Sequence, residues 1–241
     1  ANEIYINEND QLLDILDFPT LSQTSTITIT ENDSWQRLNA FGSLEIVTNI
    51  TINNNQALDE LTGFPSLQRL NRLIVQNNVG LRLIDGFNVL RDMTDYISIR
   101  NNTELREITG FDSLISLRSL DIRNNLELET ISGFRSLRRA NYEITIIDNA
   151  NLITLTDGFG VLSYTENFYV RDNEALCPGE VQQTLVQFDQ AIRRTDINRN
   201  RGSYDACGTC GGQIGRVDRC IEAVRDDPWQ YRCVDVEAFV A

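Results

Sequence analysis

Two aspartates, Asp148 and Asp172, stand 24 residues apart in a chain whose other patterns recur at that spacing. Stacked one coil apart, at about 5 Å, such a pair has the separation of a retaining glycosidase's carboxylates or of a cation clamp. Their register neighbours are Asn101 and Asn124, all four at a turn, and Arg123 and Arg171 stand nearby to neutralise them. A turn role is therefore the simpler reading. The 241 residues include no His, which removes the imidazole base, the Ser–His–Asp triad and any His-ligated metal. No catalytic residue, cofactor or metal ligand is assigned, and the chain is expected not to be an enzyme.

Three other groups of residues could do chemistry. Arg100, Arg123 and Arg171, with Tyr169 beside the last, fall on one outward row and form a small basic element suited to a protein or glycan partner. Three glycosylation sequons begin at Asn32, Asn49 and Asn101; Asn49 and Asn101 are expected to point outward and be usable, whereas Asn32 belongs to an inward row. Of five cysteines, Cys177 stands where the repeats end and Cys207, Cys210, Cys220 and Cys233 fall in the last quarter. Clustered in this way they suggest a local disulfide-stapled module and an oxidising compartment, with one cysteine left over. Zinc or redox use of Cys207-Gly-Thr-Cys210 stays open as a lesser alternative.

Bulk charge narrows the partners. Lys+Arg total 21 against Asp+Glu 35, a net charge of −14, and every basic residue is Arg. An acidic surface repels phosphate, so nucleic acid and anionic membrane are poor partners. No stretch approaches the roughly 20 apolar residues that a membrane-spanning helix needs. No secretory leader is recognisable at Ala1, so the expectation is a leader already removed or a segment of a longer chain.

The elements that would position these residues are repeats. Apolar pairs flanking one residue recur at Ile4/Ile6, Ile27/Ile29, Ile50/Ile52, Leu73/Val75, Ile97/Ile99, Leu120/Ile122, Ile144/Ile146 and Phe168/Val170, in steps of 23 or 24 residues. Alternation of β-branched residues predicts a short strand in each coil with one face buried. Three residues past each strand comes an asparagine, in the series Asn9, Asn32, Asn55, Asn78, Asn102, Asn125, Asn149 and Asn173. Turned inward and stacked, these would form a ladder that satisfies buried turn amides. A phenylalanine follows in each complete coil, at Phe18, Phe41, Phe64, Phe87, Phe111, Phe134 and Phe159, predicting one stacked edge of the core. Gly63, Gly86, Gly110, Gly133 and Gly158 precede five of these, which suggests a turn needing φ > 0; Ala40 in the same slot argues that the need is not strict.

The runs Leu70–Leu73–Val75–Asn78 and Leu117–Leu120–Ile122–Asn125 fit the leucine-rich repeat consensus LxxLxLxxN. With its "NN" turns and "GF" before a Leu, the pattern resembles the receptor L-domain branch of that family over residues 3–177. The resemblance implies a mainly β fold, a right-handed parallel β-solenoid of about eight coils, and an exposed sheet face that binds partners. After Cys177 the period stops. Val181, Leu185, Phe188 and Ile192 at helical spacing predict an amphipathic helix over Pro178–Arg194, followed by a polar loop over Thr195–Asp205. The segment "CGTCGG" resembles a cysteine motif of extracellular modules. The expected organisation is thus a solenoid at 1–177 and a helical, cysteine-rich cap at 178–241.

The first strand begins at Ile4 with no amphipathic cap ahead of it, so its apolar edge should be covered by another domain or another copy. The leading expectation is an extracellular structural protein that associates through its solenoid ends, stacking head-to-tail into a filament or surface layer. A cell-surface recognition ectodomain using Arg100, Arg123, Tyr169 and Arg171 is the second, and a polysaccharide-acting enzyme the third.

Overall fold

The computed structural model describes residues 2–186, 188, 192–200, 220–222 and 231–233. Cys207 and Cys210 lie outside the described residues, as does the rest of 201–219.

Each β-branched repeat forms a strand, and the strands align in parallel in one ten-stranded sheet. Its members are Glu3–Asn7, Gln23–Thr30, Ile46–Asn53, Arg69–Gln76, Asp92–Met93 with Tyr96–Arg100, Ser116–Arg123, Arg139–Ile147, Tyr164–Arg171 and Arg194–Asp196. A second, narrower parallel sheet joins Arg37–Leu38, Glu60–Leu61, Leu83–Ile84, Glu107–Ile108 and Thr130–Ile131, and Thr154 bridges onto Thr130. The chain is therefore the expected mainly β solenoid of about eight coils. Every interior coil buries its strand pair, its leucines and its phenylalanine between its neighbours, which is how a coil with two apolar edges becomes stable.

The phenylalanines stack as their spacing predicts. Ring centroids from Phe18 to Phe159 are 4.9–5.5 Å apart, with neighbouring planes within 15° of parallel. The glycines before them have a different reason from the one expected, since none of them adopts a positive φ. They are small because the coils touch there backbone to backbone. A Cβ on Gly110 would lie 2.6 Å from the Gly86 nitrogen, and one on Gly63 would lie 2.6 Å from the Leu38 carbonyl oxygen.

Positive φ falls instead on the residue before each ladder asparagine: Glu8, Glu31, Asn54, Asn77, Asn101, Asn124, Asp148, Asp172 and Arg199, all between 55° and 59°. This left-handed turn swings the chain so that the next side chain points inward. Asn and Asp tolerate that conformation better than most residues, which accounts for the "NN" and "DN" pairs.

The ladder runs one rung further than the spacing predicts. The helix after Cys177 spans Pro178–Leu185, and Arg194, expected to end it, opens the strand Arg194–Asp196. Thr195, expected in a loop, lies inside that strand. Arg199 and Asn200 then repeat the turn, and Asn200 Oδ1 accepts from the Asn173 amide at 3.2 Å. The helix is thus an excursion made during a ninth coil. Val181 is buried, and Leu185, Phe188 and Ile192 pack on the core, Phe188 meeting Phe168 edge-on at 5.6 Å. Further on, Cys220–Glu222 pairs antiparallel with Tyr231–Cys233, setting Cys220 opposite Cys233.

Candidate functional site

The asparagine ladder is a structural device with a direction. The backbone N–H and Nδ2 of one rung both donate to Oδ1 of the next. For Asn55 onto Asn78 both distances are 3.0 Å. From Asn32 onward each Nδ2 also holds a strand carbonyl of the preceding coil, as Asn102 does with Val75 at 3.0 Å. All rungs from Asn32 to Asn173 are fully enclosed, at 1% exposure or less. Just outside runs a shorter ladder of opposite sense, in which Asn124, Asn101 and Asn77 each donate to the preceding coil, ending on Asn53, at 3.0 Å per step.

These ladders place the sequons. Asn32 is enclosed, with Nδ2 donating to Ile6 O, Thr30 O and Asn55 Oδ1. Asn49 is half-buried on the sheet face, and Asn101 is exposed at its turn.

The outward arginines are not a free basic patch. Asp121 lies between Arg100 and Arg123; Arg123 Nε donates to Oδ1 at 2.7 Å and the Arg100 guanidinium donates to Oδ2. Arg123 therefore serves Asp121, two residues back on its own strand face, and not a turn aspartate. Burial, then the neighbouring Arg123 charge, pulls the Arg100 guanidinium below its ordinary value, and its buried Nε has no acceptor. Arg171 sits apart: register runs Arg123–Ile147–Arg171, about 10 Å across two strand spacings. It pairs with Asp172 at 2.5 Å and with Asp196 at 3.4 Å. Tyr169 is half-buried between Thr145 and Asp196 in the same register. The four expected partner-binding residues thus form two groups, one around Asp121 and one around Asp172.

Asp148 and Asp172 do fall in one register, as their spacing predicts, and both occupy the left-handed turn slot. Asp172 is clamped from two sides, since Arg199 Nε also approaches it at 2.5 Å. Its oxygens are engaged in holding the last two coils together. No cluster suited to a metal occurs among the described residues.

The ends differ from the middle. In the first coil Ile4, Ile6, Leu12, Ile15 and Leu21 are only partly buried, and Leu13 and Leu16 are 72% and 91% exposed. The matching strand residues one coil inward, Ile27 and Ile29, are at 0% and 1%. At the other end Arg193, Arg194, Thr195 and Ile197 are exposed. Cys177, which precedes the helix, is 6% exposed and disulfide-bonded.

No family model matches the chain, and no curated protein or solved structure gives a significant match.

Proposed function

We propose that this chain is a non-enzymatic structural protein that acts outside the cell and works through the ends of its solenoid. The carrying observation is the first coil, which presents on one flat end the apolar side chains that every interior coil hides. About 25 cal/mol per Å² of apolar surface favours covering such an end, and an open parallel edge adds unpaired backbone groups. The extracellular assignment rests on the cysteines. None occurs in the coils before Cys177, Cys177 is bonded, and the other four cluster after residue 206. The leucine-rich repeat and L-domain likeness belongs to the same reading, and so does glycosylation of Asn49 and Asn101 but not Asn32.

The test is the assembly state of the chain, followed by light scattering and electron microscopy, with amide exchange over residues 2–22. Association with slowed exchange in the first coil is expected. A chain that stays monomeric at high concentration, its first-coil amides exchanging freely, overturns the proposal.

One observation favours a second reading, recognition on the sheet face. Around Asp121 the Arg100 and Arg123 side chains stay 41% and 36% exposed, which leaves guanidinium N–H groups for a carboxylate or sulfate of a protein or glycan. Alanine at Arg100, Arg123 and Tyr169 should then abolish capture of an acidic glycan such as a sulfated polysaccharide while leaving Tm within a few degrees. Unchanged binding removes the reading.

A further inference from the structure

The larger sheet is not uniform along the solenoid. Its first three strands carry no arginine, whereas from Arg69 to Arg171 its strands carry more arginines than acids. The chain as a whole has the opposite balance, with Lys+Arg at 21 and Asp+Glu at 35. We propose that Arg118 and Arg139, each laid on a tyrosine ring of the next coil, anchor an acidic polysaccharide on this stretch of the sheet face. This rests on the second reading above, recognition on the sheet face, and adds to it a site outside the Asp121 group.

Stacking is the first observation. Arg72 lies over Tyr96 at 4.9 Å, Arg118 over Tyr142 at 5.7 Å and Arg139 over Tyr164 at 4.5 Å. Each arginine leans on the coil that follows it, so the device repeats across the sheet. A guanidinium held flat on a ring keeps the N–H groups of its edge, which grip a carboxylate or sulfate bidentately. Holding the side chain there in advance lowers the ordering cost of binding.

Charge is the second. Arg72, Arg100, Arg123 and Arg171 each pair with an aspartate. Arg118 and Arg139 pair with no carboxylate among the described residues, and both are exposed, as is Tyr142 at 46%. In a chain rich in acids, two positioned guanidinium groups are left for an anion from outside. At physiological salt a Debye length of about 8 Å screens them from acids elsewhere on the molecule.

Register is the third. Arg139 pairs with Ser116, two residues before Arg118 on the same face, which sets the two arginines about 8 Å apart. Both neighbouring strands break register opposite Arg118. One extra residue falls between Asp92 and Tyr96 on one side, and another between Ala140 and Glu143 on the other. Bulges re-aim side chains, and the second one carries Tyr142, which meets Arg118.

The ligand class follows from what this stretch lacks. The strands are paired on both sides, so no edge is open to a peptide strand. Ser116, Ser119 and Asn141 around the pair make no apolar groove for a helix. A single-stranded nucleic acid stacks its bases on open ring faces, and here arginines lie over the rings. A polysaccharide needs only charges repeated along an open chain.

The experiment is capture of dextran sulfate by the 241-residue chain at several salt concentrations, with dextran, polyglutamate and single-stranded DNA as rivals. Wild type should bind dextran sulfate, release it as salt rises and ignore dextran. Arg118→Ala/Arg139→Ala should bind roughly tenfold less tightly or worse, with Tm within a few degrees. Arg82→Ala/Arg106→Ala makes the same charge change away from the larger sheet and should bind as wild type does. Arg118→Lys/Arg139→Lys keeps the charge without the planar fork and should recover only part of the affinity. Equal losses in the two alanine pairs, or full affinity in the lysine pair, overturn the site. Equal or tighter capture of polyglutamate or DNA overturns the ligand class. If alanine at Arg100, Arg123 and Tyr169 weakens capture and alanine at Arg118 and Arg139 does not, the stacked pair is wrong and the sheet-face reading stands. No capture of dextran sulfate overturns both.

Discussion

Asn102 shows what one ladder residue does. Its Oδ1 accepts from the Asn78 N–H at 3.0 Å and from Asn78 Nδ2 at 3.2 Å, while its own Nδ2 donates to Val75 O and Asn125 Oδ1. All of this lies at zero exposure, so water replaces none of it. Asn102→Ala would strand the Asn78 amide and reduce the bonding of Val75 O, each buried orphan costing about 1–3 kcal/mol. The expected loss is about 3–5 kcal/mol by urea denaturation. Asn9→Ala, at the open end, removes bonds that solvent can remake and should cost about 1 kcal/mol. Equal losses at the two positions would mean that the ladder does not derive its stability from enclosure. The same scale separates what the sequence makes readable from what it hides. Asparagines at a fixed offset from each strand announce an inward row. The left-handed residue before each one is harder to find, because Glu8, Glu31 and Arg199 fill the slot as well as Asn and Asp. Asp148 and Asp172 therefore draw attention as a carboxylate pair, although the slot asks only for a residue that tolerates φ near 56°.

At the scale of the coil, the closest contact is between backbones beside the phenylalanine stack. A methyl group at Gly110 would meet the Gly86 nitrogen at 2.6 Å and Asp85 Cα at 2.8 Å, neither of which can move without parting two coils. Gly110→Ala should therefore cost at least about 2 kcal/mol. Gly42→Ala is the control: its methyl would meet only the Asp17 carboxylate, the nearer oxygen at 3.1 Å, on an exposed side chain that can shift at the expense of the one bond it accepts from the Gly42 N–H, and should cost under about 1 kcal/mol. Thermal melts of the two variants check this, and similar shifts would return the glycines to a conformational role. The ninth coil was the element least legible in the sequence. Its rung lies 27 residues after Asn173 instead of 23 or 24, a helix intervenes, and Thr195 stands where other coils have an apolar strand residue. Regular spacing is imposed by coils that must nest on both sides. A coil that nests on one side only is released from it, and the pattern fades where the packing constraint does. The arginine pairing was hidden for a related reason. Asp121 lies on the outward row, where no periodicity marks it, and only the diagonal approach of Arg100 from the coil before makes the cluster.

Across the whole molecule, stability should come as a sum over neighbouring coils, so the ends can change without undoing the middle. Trp35 offers a probe of that statement. It is the one tryptophan among the ladder-proximal slots, held at 1% exposure between the slots of Leu12 and Leu58, with a buried Nε1 that finds no acceptor. Removing residues 1–22 takes away one coil contact and turns Trp35 into an end residue. In a Trp229→Phe background its fluorescence should shift to longer wavelength while the far-ultraviolet circular dichroism falls only by the share of one coil, and Tm should drop by a few degrees. A cooperative loss of the whole fold would mean that the first coil is a cap on which the rest depends, and an unshifted spectrum would mean that it does not cover Trp35.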